Sequence, residues 1–226
     1  MSLILNLFIL VCVGAALVLG LNVVNILQAG SRKADGRTMR QILGVDPETA
    51  TYDDIEKLPR SEKMQLFHAA RVPKFEDING EYRARLLSGG VLGPASAWFT
   101  HHIFPTGKPT FKTEWVGKGF QSLGDDTGQG YNIFVERTGA STNTRRLRQI
   151  RTAMTPTKIG KGGKPVFQID YSRFNPDLIH SMRDEIRQVN ANLYIGAGYM
   201  ALGGGYRNPA PFVLEGPPRE WVGPDQ

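Results

Sequence analysis

The first 30 residues constrain this chain most, because none of its 27 Lys and Arg or 21 Asp and Glu residues falls within them. At about 1.5 Å per residue, the apolar stretch over residues 3–27 is long enough to cross the roughly 30 Å hydrocarbon core of a bilayer. A cleaved signal peptide would carry a basic segment, a shorter apolar core and a small-residue cleavage site. Because Met1–Ser2 has no basic side chain and Gln28-Ala29-Gly30 fits such a site poorly, we expect a retained transmembrane helix over residues 1–30.

The rest of the chain carries all of the charge and has the composition of a water-soluble domain. It contains no second charge-free stretch of about 18 residues, which excludes a polytopic transporter. The only cysteine, Cys12, lies inside the apolar leader, which excludes a disulfide scaffold. A body of about 200 residues suits one domain with a substantial core.

Basic residues flank the apolar leader on one side only. No Lys or Arg precedes it, whereas Arg32, Lys33, Arg37 and Arg40 follow it closely. Positive charge is retained on the cytoplasmic side, so we expect an inner-membrane protein with its N-terminus outside and its body in the cytoplasm. The same four side chains are predicted to contact anionic lipid headgroups or a protein partner.

The predicted span carries the small residues Gly14, Ala16 and Gly20, with Ala16 and Gly20 four residues apart on one face, and Asn22 adds a polar amide. Such residues let a second helix approach closely, and we expect this face to pack against the transmembrane helices of a larger complex. The alternative is that Asn22 lies at headgroup level in water and that the glycines and alanine have no partner.

The body begins with helical patterns and then changes to β patterns. Residues 31–73 are predicted to be a basic juxtamembrane segment with short helices, one of which buries Met64, Leu66 and Phe67. Between residues 74 and 202, short apolar runs separated by Gly-rich turns favour an antiparallel sheet closed into a barrel. One helix is predicted over residues 176–190, after Asn175 as N-cap. Residues 203–226, rich in Pro and Gly, are predicted to be an extended surface strap. The candidate strands are 81–87, 113–121, 131–137, 146–154, 165–172, 193–202 and 212–214.

Several of these runs resemble a poorly characterised group of bacterial lipocalin-like proteins. The resemblance covers roughly residues 74–222 and rests on the runs at 75–87, 115–120, 130–132, 164–171 and 193–199. It implies a mainly β, lipocalin-like antiparallel barrel, here preceded by one transmembrane helix and short helices. It implies no catalytic residue. The membrane anchor is a departure from the soluble members of that group.

No combination of side chains predicts catalysis, a metal or a cofactor. His101 and His102 lie next to Trp98 and Phe99, but if they occupy a strand they point to opposite faces, and no nearby residue completes a ligand set. We therefore predict a structural role for them, and no enzyme activity. No nucleophile elbow or phosphate-binding loop is present. Asp170-Tyr171 and His180 are the only residues that hint at catalysis.

A second basic cluster, Arg145, Arg146 and Arg148, lies in a predicted strand. We expect it to face headgroups or an acidic partner and not nucleic acid, because the neighbouring aromatic residues alternate inward and form no stacking platform. The alternative is a solvated strand face. Gly196 and Gly198 indicate either a bend of the barrel or room for a ligand at its mouth.

Together these patterns predict a non-catalytic accessory subunit of a larger bacterial membrane complex, for example a photosynthetic or respiratory one. The alternative is a membrane-tethered binder of a lipid, pigment or other apolar molecule inside the barrel.

Overall fold

The computed structural model describes residues 2–29, 33–160 and 163–225, and its centre is a closed barrel of eight antiparallel strands. Each strand pairs with its neighbours in the chain, and the last pairs with the first. The predicted mainly β fold class is therefore confirmed. The strands are β1 Gly80–Leu86, β2 Thr113–Gly124, β3 Thr127–Thr138, β4 Ser141–Pro156, β5 Pro165–Asp170, β6 Arg183–Asn190, β7 Leu193–Tyr199 and β8 Ala210–Arg219.

Five α-helices accompany these strands in the described part of the chain, and the first is long and apolar enough to cross a membrane. The side chains of its segment Ile4–Leu19 are all exposed, because none of the other residues that the structure describes packs against it. Short 3-10 helices lie at Pro47–Thr49, Phe75–Asp77, Leu178–Ser181, Ala201–Gly203 and Gly205–Arg207. The α-helices are α1 Ser2–Ala29, α2 Met39–Leu43, α3 Tyr52–Glu56, α4 Arg60–Ala69 and α5 Gly93–His102.

Two hydrophobic cores hold the domain together. One fills the barrel interior with aromatic and aliphatic side chains from the inward positions of the strands. The other lies outside, where α2–α4 cover the outer faces of β6, β7 and β8. As predicted, Met64, Leu66 and Phe67 of α4 are buried in this outer core. The strands beneath these helices are consequently buried on both faces.

The predicted helix over residues 176–190 is wrong. Leu178–Ser181 forms one 3-10 turn, capped by the Asp177 carboxylate, which accepts the backbone N–H of Ile179 at 3.0 Å. The chain then enters β6, where Ile186 points into the barrel and Val189 into the outer core. Both faces of β6 therefore carry apolar residues, and this spacing imitates the apolar stripe of a helix.

The predicted strap over residues 203–226 is wrong over Ala210–Arg219, because these residues form β8, which closes the barrel. The barrel thus extends over residues 80–219, beyond the predicted limit at 202. Only the residues after β8 form an extended strap. There the backbone N–H groups of Val222 and Gly223 donate to the Tyr131 hydroxyl, and that of Asp225 donates to the Arg146 carbonyl.

The two ends of the barrel differ in what surrounds them. At one end, here called the mouth, strands β1, β3, β5 and β7 finish, and the connection containing α5 begins. Helix α1 ends beside the mouth: the Asn25 amide donates to Asn208 Oδ1 in the β7–β8 connection at 2.7 Å and accepts from the backbone N–H of Leu92 at 3.2 Å. The apolar helix is therefore joined to two connections of the mouth.

Candidate ligand-binding site

A cavity of about 530 Å³ lies between α5 and the barrel interior at the mouth. This volume falls within the range of about 300–1,000 Å³ that is typical of small-molecule sites. Its walls are predominantly apolar, with side chains from α5, from the strands and from their connections. They include Leu86, Phe99, Phe104, Trp115, Met182 and Phe212.

An ion pair forms the floor of this cavity. Lys118 of β2 and Asp184 of β6 both line it, are almost fully buried, and place Nζ 2.9 Å from Oδ2. The Lys118 ammonium also donates to Asn132 Oδ1 at 2.7 Å and to the Tyr171 hydroxyl at 2.6 Å. Its three N–H groups therefore all have acceptors.

The surroundings have opposing effects on the charge of Lys118 and keep the tyrosine neutral. Burial lowers the pKa of Lys118, and the adjacent Asp184 carboxylate opposes that effect. The rings of Trp115, Tyr171 and Phe212 lie 5.3–5.5 Å from Lys118 Nζ and attract the ammonium. Burial, with a contribution from Asp184, raises the pKa of Tyr171 well above its usual value, so its hydroxyl stays protonated and donates to Asp184 Oδ2 at 2.8 Å.

The second carboxylate oxygen of Asp184 has a different environment. Oδ1 is buried and has no hydrogen-bond partner among the described residues. Gly198 of β7, which also lines the cavity, lies next to it: a Cβ atom at residue 198 would stand 2.7 Å from Oδ1. One acceptor of the floor is thus unpaired, and it lies against Gly198, where a side chain would come too close to it.

A charged and amide cluster joins the mouth to α1. The buried Arg60 guanidinium donates to the Asn25 carbonyl at 2.6 Å, to the Pro209 carbonyl at 2.7 Å and to Asn208 Oδ1 at 3.0 Å. Burial lowers the pKa of Arg60 to about 10, which leaves it charged at neutral pH. Arg60 therefore connects α4, the end of α1 and the β7–β8 connection at the edge of the cavity.

Apolar side chains stand exposed around the mouth. They belong to three different connections and define what we call the rim. Outside α1, most of the exposed large hydrophobic residues that the structure describes belong to these three connections. The rim consists of Val91, Trp98, Phe111, Leu178, Leu202 and Tyr206.

The residues predicted to pack against other helices do not meet at one site within this chain. Gly14 and Gly20 have no atom within 4 Å of the position a Cβ would take, and Ala16 is exposed. Asn22 instead reaches the mouth, where its Oδ1 accepts from the Asn208 amide at 3.3 Å. Packing against a partner helix stays a prediction for the first three residues, whereas Asn22 has a partner inside the chain.

The basic residues that follow α1 are largely paired within the chain. Arg32 lies outside the described residues, and Lys33 is exposed. Arg37 forms ion pairs with Asp35 at 2.6 Å and Glu62 at 2.8 Å, and Arg40 pairs with Asp46. The predicted headgroup contact is therefore least hindered at Lys33.

The arginines of β4 form ion pairs that hold the strap and the mouth. Arg145 pairs with Asp225 at 3.0 Å and with Glu136, whereas Arg146 pairs with Glu81 at 2.6 Å. Arg148 donates to the Phe104 carbonyl at 2.7 Å and pairs with Asp177 at 2.8 Å. Contact of these arginines with a partner or a membrane stays a prediction, but two of the three side chains are well shielded.

His101 and His102 both belong to α5, so the strand geometry considered for them does not apply. The His101 Nδ1 accepts the backbone N–H of Trp115 at 3.1 Å, and its carbonyl accepts the Thr113 hydroxyl at 2.6 Å. Burial lowers the pKa of His101, the Glu114 charge opposes this, and His102 lowers it further. His101 thus fixes the helical wall of the cavity to β2.

Lys118 and Asp184 were not among the sequence-predicted site residues. Lys118 follows Trp115 and precedes Phe120 in a predicted strand, so a charge on the inward face was visible there. Asp184 lies in a segment whose pattern predicts a helix, so the sequence gives no sign that its side chain lies inside the barrel. The two residues belong to different strands, and no local motif connects them.

Comparison with known proteins gives no family for this chain. No protein-family model matches it, and no curated protein matches it. The crystal structure of a protein from Thermomonospora curvata is similar over 78% of this chain and 94% of its own length, with 14% sequence identity and a TM-score of 0.43.

Proposed function

We propose that this protein is a membrane-tethered binder of an apolar small molecule. The observation that carries the proposal is the cavity at the mouth, whose walls are apolar and whose floor is polar. Sites that bind small apolar molecules combine such walls with a few polar groups that fix orientation. The up-and-down order of eight strands is also the architecture of lipocalins, which agrees with the sequence resemblance.

The position of α1 supports a ligand that comes from the bilayer. Asn22 and Asn25 join the end of α1 to the mouth, so a helix that spans a membrane would hold the mouth close to that membrane. The rim would then face the headgroup region, where Trp and Tyr side chains are favoured. By the charge bias around α1, this surface belongs to the cytoplasmic leaflet.

Native mass spectrometry of the full chain, extracted from its membrane in mild detergent, tests the proposal. We expect a co-purifying apolar molecule. Ala97→Phe, which fills space in the cavity wall, is expected to lose that molecule. Ala201→Phe makes the same change at an exposed residue that does not line the cavity, and is expected to retain it. Loss of the apolar molecule from both variants alike would contradict the proposal.

Membership of a larger membrane complex, photosynthetic or respiratory, stays a prediction. It is compatible with ligand binding, because the exposed segment Ile4–Leu19 of α1 does not line the cavity. Native gel electrophoresis after mild extraction tests it: a lone species of 25.0 kDa would contradict it.

A further inference from the structure

The polar floor of the cavity can accept a hydrogen bond from a ligand but has no proton with which to donate one. Lys118 has used all three of its N–H groups on Asn132, Tyr171 and Asp184. The Tyr171 hydroxyl accepts from Lys118 and donates to Asp184 Oδ2. Neither group has a proton left for a ligand, so Lys118 is a poor receptor for an anion.

The unpaired polar atom of the pair is Asp184 Oδ1, which is buried. A buried carboxylate oxygen without a donor is unfavourable, and a hydrogen bond to a charged group is among the stronger ones that proteins make. Oδ1 is such an acceptor, and it belongs to a residue that lines the cavity. A ligand can satisfy it only by bringing a hydrogen to that position.

We propose that the cavity selects amphiphiles whose buried end is a hydrogen-bond donor, such as a neutral alcohol or an amine, with Asp184 Oδ1 as the acceptor. This inference rests on the proposed function and adds the chemistry of the ligand. An ether or ketone has no proton to give, and a carboxylate would place a second negative charge beside Asp184. The apolar part of the ligand would lie along Phe99, Trp115 and Phe212.

Gly198 lies directly beside this acceptor. Its φ is not positive, so alanine is compatible with the backbone there. The added methyl group would stand 2.7 Å from Oδ1, which is closer than ordinary contact. Gly198→Ala therefore crowds the acceptor, so that the carboxylate must shift, while both Lys118 and Asp184 are retained.

The test is a titration of the full chain in phosphatidylcholine nanodiscs with three probes of matched chain length: decanol, decyl methyl ether and decanoate under alkaline conditions. Trp115 lines the cavity and reports binding through its emission, in a background where Trp98 and Trp221 are replaced by Phe. We expect decanol to bind at least about tenfold more tightly than the ether or decanoate, as expected for one hydrogen bond to a charged group.

Two variants give the inference its controls. Gly198→Ala is expected to reduce the ratio of the affinities for decanol and the ether to less than about twofold. One hydrogen bond to a charged group would give a much larger ratio. The double variant Lys118→Met with Asp184→Leu replaces the floor by apolar side chains. It is expected to bind decanol and the ether equally, and it remains informative if Gly198→Ala does not fold.

The outcomes separate the inference from the proposed function. Equal affinities of the original chain for decanol and the ether would overturn the inference, because Oδ1 would then be satisfied by solvent, while binding in the cavity would stand. Tighter binding of decanoate than of decanol would also overturn the inference. No response of Trp115 to any probe would overturn the proposed function itself.

Discussion

The two ends of the barrel use the same strands for opposite purposes. Away from the mouth, aromatic rings fill the interior. The centroid of the Phe167 ring lies 5.1 Å from that of Phe75 and 5.5 Å from that of Phe120. The ring centroids of Tyr82 and Tyr194 are 5.6 Å apart. At the mouth the same strands surround a cavity of about 530 Å³ above a buried ion pair. We call the aromatic-filled end the closed end.

This difference shows how one barrel divides stability from binding. Close packing of large rings stabilises a fold, because each ring removes apolar surface from water and leaves no void. A cavity gives up part of that stabilisation and makes room for a ligand. The outer helices α2–α4 compensate by burying the outer faces of three strands. The closed end and the helical layer therefore support a mouth that is incompletely filled.

Shortening a side chain should lower the free energy of unfolding more at the closed end than at the mouth. Phe167→Ala removes a fully buried ring and is expected to lower the free energy of unfolding by about 3–5 kcal/mol. Met182→Ala at the mouth enlarges an existing cavity and is expected to cost about 1 kcal/mol, the usual size for a single substitution. Chemical denaturation in detergent micelles measures both. Equal losses would mean that the two ends are equally packed.

Removing one partner of the ion pair should destabilise the fold strongly, whereas replacing both partners by apolar residues should change the stability little. Lys118→Met leaves Asp184 buried without its cation, and we expect a loss of about 3 kcal/mol in the free energy of unfolding. The double variant Lys118→Met with Asp184→Leu is expected to be within about 1 kcal/mol of the original chain, or more stable, because no unpaired charge remains. Denaturation of Lys118→Met, of Asp184→Leu and of the double variant measures the coupling free energy between the two residues. An additive result would show that the residues act independently.

The sequence predicts the closed end better than the mouth. Tyr82, Ala84 and Leu86 alternate along β1, which indicates a strand with one apolar face, and the turns between the candidate strands contain glycine. Residues 183–190 give no such alternation, because β6 is buried on both faces and carries Asp184 inside and Glu185 outside. Local pattern therefore favoured a helix where tertiary burial made a strand.

The site itself was beyond local reasoning. Lys118 and Asp184 are each a single polar residue in an apolar neighbourhood, and their contact depends on barrel closure between strands distant in sequence. The apolar leader, by contrast, needs only its own length and composition to be recognised. Tyr171 was noticed as part of Asp170-Tyr171, but its role depends on the position of Asp184.

Arg60 tests whether the mouth depends on α1. Arg60→Ala removes three hydrogen bonds to Asn25, Asn208 and Pro209, and we expect a loss of about 1.5–3 kcal/mol in the free energy of unfolding. Hydrogen exchange should rise first in the β7–β8 connection. Lys57→Ala, at an exposed residue close by in the chain, is the control and is expected to be nearly neutral. Exchange that rises equally throughout the barrel would show a general loss of stability and no local connection.

The smallest expected effect is a pH dependence confined to the mouth. Because burial lowers the pKa of His101 below its ordinary value of 6.5, the unfolded chain binds more protons than the folded one on acidification below that value. This contribution to stability is present above pH 6.5 and is lost as the pH falls through 6.5 towards the folded pKa, where a proton on Nδ1 would displace the N–H of Trp115. His101→Asn keeps an acceptor near that position and does not titrate. Thermal unfolding followed by Trp115 emission should therefore depend less on pH in this variant, by about 1 kcal/mol or less, and identical pH profiles would show that His101 does not control the wall between α5 and β2.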